Sequence, residues 1–155
     1  MRIFIKSISF ILSCFILISF SAVKNSERKT IACIYSDSIP AFLKGDFIDD
    51  YGIRYNISDS VWTQLPSTRY HILKWNTKEK FLIARNDSRN KSEPGLYTRI
   101  DYTYFENMEP YKWGFCLSVY NAKTDSLAEI TYQADKQNPR KGCNGFPFSR
   151  MKKAE

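Results

Sequence analysis

From Gly45 onward, apolar and polar residues alternate with a period of two in a series of short runs, each closed by polar or turn-forming residues. Gly45-Asp46-Phe47-Ile48-Asp49 is the first such run, and Asp50-Tyr51-Gly52 reads as its turn. Ile53–Ser58, Val61–Leu65, Arg69–Trp75 and Phe81–Arg85 follow, separated by Asp59-Ser60, Pro66-Ser67-Thr68 and Asn76–Lys80. The richest pattern lies between Gly95 and Tyr120, where GLYTRIDYTYF and WGFCLSVY flank ENMEPYK as an antiparallel hairpin. Ser126–Ile130 predicts a single helical turn capped by Asp125 or Ser126. Phe146 and Phe148, one residue apart, are expected on one face, either plugging a barrel end or completing a last strand. Short strands at this spacing, with polar turns between them, predict an all-β fold: a small antiparallel meander barrel or a sandwich, with one short helical turn.

The amino-terminal pattern differs. Arg2 and Lys6 precede an uncharged apolar run, Ile8–Phe20, and the small residues Ser19, Ser21 and Ala22 close it. A basic start, an apolar middle and a small-residue exit describe a secretory signal peptide over residues 1–21. An uncleaved anchor is the rival reading, although the run is short beside the roughly 20 residues of a spanning helix. Cys14 after Ile11-Leu12-Ser13 resembles a bacterial lipobox and is the candidate lipidation site, set against its being one more apolar residue of the leader. Residues 22–44 then read as a tether and an amino-terminal clasp, in which Ile31–Tyr35 is apolar enough for an edge strand. The barrel-like domain spans 45–151, and 152–155 is expected to fray.

The whole chain carries a net charge of +7, and loss of Arg2 and Lys6 with the leader lowers it to about +5. Lys and Arg are scattered along the chain, which describes a solvated surface and not a nucleic-acid groove. Three cysteines follow the leader: Cys33, Cys116 and Cys143. Cys116 sits in the middle of a strand and Cys143 in a Gly-rich loop, so these two are the favoured disulfide, with Cys33–Cys143 the competing connectivity. Closing that loop would stabilise the fold by roughly 3 kcal/mol in the chain-entropy model. The expected location is outside the cytoplasm: periplasmic, attached to the outer membrane or secreted.

His71 is the single histidine, so any His-dependent chemistry within one chain must use it. Counted by twos, His71 shares a face with Leu73 and Trp75. No nucleophile elbow and no Cys/His zinc spacing is present, and neither a cofactor nor a metal is expected. Arg99 and Asp101 share a face with Tyr97. Turned inward, they would form the polar floor of a ligand site; turned outward, an ordinary ion pair. With 3 Trp, 10 Tyr and 11 Phe the chain is rich in aromatics. Most belong to the core, and a few suit stacking on a ligand. The candidate ligand-binding set is therefore Trp62, His71, Trp75, Tyr97, Arg99, Asp101 and Trp113. The loop Asn86–Pro94 reads as an insertion over an open end.

Gly45-Asp46-Phe47 at the head of a meander resembles the first strand of lipocalin and calycin barrels, with Phe47 where that family carries Trp. More of the chain, from about Gly45 to Met151, resembles small uncharacterised exported bacterial domains. The resemblance rests on Gly95–Tyr102, Cys116–Ala122 and Gly142–Phe148. It implies a β-fold and no particular activity. The expected function is an exported, non-catalytic module that binds a small apolar or amphipathic molecule or a cell-surface glycan. Two alternatives stand beside it: a protein-interaction or adhesion module of the envelope, and a hydrolase using His71 with Asp101 or Asp49. The expected partner is an unknown small molecule or surface component, with membrane contact only through an amino-terminal lipid or an uncleaved leader.

Overall fold

The computed structural model describes residues 38–155. The leader, Cys14, Cys33 and Ile31–Tyr35 lie outside the described residues. The aromatic-rich hairpin is present as β6 (Tyr97–Tyr104) and β7 (Trp113–Ala122). Before it come β1 (Gly45–Asp49), β2 (Arg54–Ile57), β3 (Val61–Gln64), β4 (Thr68–Asn76) and β5 (Phe81–Asn86), close to where the alternation places them. All pairings are antiparallel between sequence neighbours, and β8 (Ser149–Lys153) pairs with both β7 and β1 to close an eight-stranded barrel. Closure excludes the sandwich.

Closure also alters the reading of the tail. Lys152 and Lys153, expected to fray, are strand residues, with Ile48 opposite Lys152 and Phe47 opposite Lys153. A barrel lacking this strand would leave the ladders of β1 and β7 open, and satisfying both edges holds the carboxyl terminus in place. Helix α1 (Asp125–Thr131) runs longer than one turn, and its cap is Thr124, whose hydroxyl accepts the Leu127 N–H at 3.2 Å. Among the described residues no helix is long and apolar enough to cross a membrane.

The interior is an aromatic core. Phe47, Tyr55, Trp62, Trp75, Tyr102 and Trp113 belong to one buried cluster. Trp62 meets Trp113 edge to face at 6.0 Å and Phe115 at 5.1 Å. Each such pair contributes roughly 0.5–1.5 kcal/mol beyond the area it buries. A 3-10 turn, Ala41–Leu43, leads into β1 and closes one barrel end, with Ile39 and Leu43 buried in the core. Alternate residues of the same strands pack outside: Phe81, Ile83 and Val119 lie under Ala128 of α1. Cys116 faces outward from β7 and is bonded to Cys143.

Two departures from strict alternation matter for the site. In β4, Ile72 pairs with Ala84 but the next partner of β5, Ile83, pairs with Lys74, so Leu73 is an extra residue. This bulge resets the count. Tyr70, Ile72 and Trp75 therefore all pack on the interior cluster, while His71 and Leu73 are exposed, and the expected shared face of His71 and Trp75 does not exist. Near the carboxyl terminus, Cys143 and Phe146 exchange backbone hydrogen bonds across Asn144 and Gly145, both with left-handed φ. That tight turn separates the two phenylalanines: Phe146 is 72% exposed and Phe148 is 1% exposed. Phe148 packs with Cys116 and Ala134 outside the barrel and plugs no barrel end.

Candidate functional site: a cup at the barrel mouth

The barrel end opposite the 3-10 turn carries the β1–β2 and β3–β4 turns and the long β5–β6 connection. A cup of about 300 Å³ opens there, lined from the strands by Gln64, Thr68, Tyr70, Asn86, Leu117 and Tyr120. Lys91, Ser92 and Glu93 of the long connection complete its wall. This connection, which reads in sequence as an insertion over an open end, is held firmly at that end. The Asn90 side chain imitates a strand partner for Arg69, accepting its N–H at 2.9 Å and donating to its carbonyl at 2.8 Å. Asn86 donates to the Glu93 carbonyl at 2.8 Å and the Tyr120 carbonyl at 3.1 Å, and accepts from the Thr98 hydroxyl at 2.6 Å. Both side chains are thus engaged in holding the connection to the barrel.

Tyr70 is an aromatic wall of the cup. Its side chain is buried, its hydroxyl makes no hydrogen bond to a described residue, and burial pushes its phenol above the ordinary tyrosine range. Deeper in the barrel, the Tyr55 hydroxyl donates to Asp49 at 3.0 Å, and burial together with that carboxylate raises its pKa further. Asp49 also accepts the Tyr51 and Ile53 backbone N–H groups at 2.9 and 2.8 Å. Its role is to shape the β1–β2 turn.

The residues singled out in the sequence do not converge on this cup. Trp62, Trp75 and Trp113 are at most 1% exposed and fill the interior, so the calyx is packed with aromatics beneath the mouth. Trp113 also lines a crevice, at the opposite end. Tyr97, Arg99 and Asp101 face outward, away from the cup. Arg99 and Asp101 are nevertheless buried, because α1 and the chain after it cover them: Arg99 donates to the Glu129 carbonyl at 2.6 Å, and Lys136 donates to Asp101. They are neither a ligand floor nor an exposed pair, and this third arrangement is the one sequence alone does not show.

His71 has a carboxylate partner, but not one of the two expected. Its Nε2 lies 2.8 Å from Asp87 Oδ2. Arg89 holds Asp87 from the other side, its Nε 3.0 Å and its backbone N 2.9 Å from Oδ1. Those Arg89 hydrogen bonds, with His71 adding to them, hold the Asp87 carboxyl well below the usual carboxylate range. The cluster sits on the outer surface of β4 and the start of the long connection and lines none of the cavities described here. Among the described residues no group of three or more His, Cys, Asp or Glu side chains is placed to hold a metal ion.

No family model matches the chain, and neither a curated protein nor a solved structure shows significant similarity to it. The residues of the cup were missed in sequence because nothing marks them singly. Asn86, where a strand pattern gives way to a long polar loop, was the available signal.

Proposed function

We propose that the protein is an exported, non-catalytic binding module whose ligand seat is the mouth cup, and that the ligand is a saccharide or similar polyol. The observation that carries this reading is the Tyr70 hydroxyl, which makes no hydrogen bond to a described residue and is set in a cup that also offers Gln64, Thr68, Ser92 and the face of Tyr120. Aromatic faces and neutral hydrogen-bonding groups in one concavity suit a sugar ring, which is apolar above and below and polar at its edge. The packed interior leaves little room for a bulky apolar ligand inside the calyx. The Cys116–Cys143 bridge is compatible with an oxidising, exported location.

Saturation-transfer NMR against a panel of mono- and disaccharides tests the reading, with native and denatured mass spectrometry of protein isolated from its own host alongside. The expected result is transfer to at least one sugar, weakened about three- to tenfold by Tyr70→Phe, the loss of one neutral hydrogen bond. A panel without transfer, together with a native mass bearing no adduct, would sink the proposal.

A second reading has its own observation. Phe146 projects into solvent from a turn fixed by the disulfide, by the Asn144 N–H donating to the Tyr132 hydroxyl at 3.3 Å, and by the Asn144 side chain donating to the Ser118 carbonyl at 3.4 Å. A rigidly presented aromatic is the kind of anchor that interaction modules use. Cross-linking of the exported protein in intact cells, with Phe146→Ser as the control, addresses it; cross-links that persist unchanged in the variant would remove Phe146 from consideration.

A further inference from the structure

At the closed end, away from the mouth, a crevice of about 160 Å³ lies between the 3-10 turn and strands β7 and β8. Its walls are Phe42, Phe47, Trp113 and Met151, and its remaining lining is lysine: Lys112, Lys152 and Lys153. The indole N–H of Trp113 is buried and has no acceptor among the described residues. Such a donor is costly to leave unmet. Lys153 rests its ammonium 4.1 Å from the Phe47 ring centre and donates to the Lys44 carbonyl at 2.7 Å, while Lys112 pairs with the exposed Glu109. Lys152 has no hydrogen-bond or ion-pair partner among the described side chains.

We propose that this crevice binds a small anionic amphiphile, an unbranched monocarboxylate of short chain. The chain lies against Phe42, Phe47 and Met151, and the carboxylate sits among the lysine ammonium groups, bringing an acceptor to the Trp113 side of the crevice. Each alternative class meets a physical obstacle in the crevice. The polar lining is all donors, lysine ammonium groups and an indole N–H, with no side-chain acceptor for the hydroxyl protons of a sugar. A cation would face three ammonium groups. The volume is about half the lower end of the 300–1,000 Å³ typical of drug-sized ligands, which is too small for a sterol or a diacyl lipid. This site is separate from the mouth cup, and neither reading depends on the other.

The experiment titrates hexanoate into the full exported chain and follows the Trp113 indole N–H and the backbone amides by nitrogen-15 NMR. Hexan-1-ol and hexylamine serve as probes with the same chain and a different head. Hexanoate is expected to move the Trp113 indole resonance and the amides of Phe47 and Met151, leaving Tyr70 and its neighbours in place. It is expected to bind about tenfold more tightly than hexan-1-ol, and hexylamine is expected not to bind. Lys112→Ala combined with Lys152→Ala should remove most of that tenfold preference without weakening hexan-1-ol. Lys112 is exposed and Lys152 half-buried, and neither belongs to a core cluster, so the variant keeps the fold. Equal affinity for the alcohol and the acid, shifts confined to the mouth, or no shift at Trp113 up to saturating probe would each overturn the proposal. A sugar titration that fails at the mouth leaves this result unaffected.

Discussion

The Arg99 guanidinium and the Asp101 carboxylate, two positions apart on β6, form a two-point ion pair of 2.8 and 3.0 Å on the outside of the barrel, where both are shut from solvent. Arg99 also lies over the Phe81 ring at 3.8 Å, and the Ser118 hydroxyl donates to Asp101 at 2.5 Å. The pair therefore links three strands to α1 and to the chain beyond it. Breaking it from one side leaves a buried charge without its partner. Asp101→Ala is expected to lower stability by about 3–5 kcal/mol, whereas Arg99→Met with Asp101→Leu should come within about 2 kcal/mol of wild type. Urea unfolding of the three proteins checks this; an Asp101→Ala cost below that of the double variant would remove the pair from the architecture.

The same carboxylate makes stability depend on acid. Burial works to raise the Asp101 pKa, but Arg99 and then Lys136 outweigh it and hold the group below the ordinary carboxylate range. A carboxyl lowered on folding contributes its full stabilisation above its unfolded pKa, about 3.9, and loses it as the pH falls towards the lower folded value. Unfolding midpoints in urea should therefore fall as pH drops from about 5 to 2. Asp101→Asn should flatten that slope while lowering the plateau. A slope unchanged in the variant would assign the acid sensitivity to other carboxylates.

The Cys116–Cys143 bridge joins residues 27 apart in sequence and pins the turn that presents Phe146 to β7. Replacing both cysteines by serine should cost about 3 kcal/mol by loop-closure entropy, read by urea unfolding. Gly142 tests the same turn without touching sulfur. A Cβ there would stand 1.9 Å from the Asp135 carbonyl oxygen and 2.7 Å from that of Asn138, both of them backbone atoms that cannot swing aside. Gly142→Ala should cost about 1–3 kcal/mol and slow oxidative closure of the bridge. Unreduced peptide mapping during refolding follows that closure, and a wild-type rate would show that the turn forms without this close packing.

Strand positions were legible because period-two alternation and turn residues are local signals, and seven of the eight strands lie within a residue or two of the pattern. The expected disulfide was legible for the same reason: a strand centre and a Gly-rich loop are both recognisable locally. What was not legible depends on contacts distant in sequence. Nothing in GLYTRIDYTYF indicates that α1 will cover Arg99, so a choice between inward ligand floor and outward surface pair missed the buried outward pair. His71 finds Asp87 only because β4 and the start of the long connection lie side by side. Lys152 and Lys153 are polar and terminal, and only the vacancy between β1 and β7 makes a strand of them. The cup at the mouth is assembled from five separate stretches, each ordinary by itself.

The bulge in β4 offers the sharpest check on how the core is registered. Leu73 is half-exposed and stands between the pairs Ile72–Ala84 and Lys74–Ile83, so removing it leaves Ile72 inward, Lys74 outward and Trp75 inward, the order that strict alternation demands. A chain lacking Leu73 should therefore fold with Trp75 still buried, at a cost of roughly 1–2 kcal/mol from the altered local twist and lost contacts. Ile83, on the facing strand, is fully buried and has no bulge to absorb its loss. Deleting it moves every residue on one side of the gap to the opposite face, which would push Leu82 or Ala84 out of the interior, and that chain should not fold. Tryptophan emission and urea unfolding of the two deletion variants separate these outcomes. A red-shifted spectrum in the Leu73 deletion would show that the extra residue is required to aim Trp75 into the core, and that the β4 register is set by the bulge itself and not by the cross-strand pairs on either side.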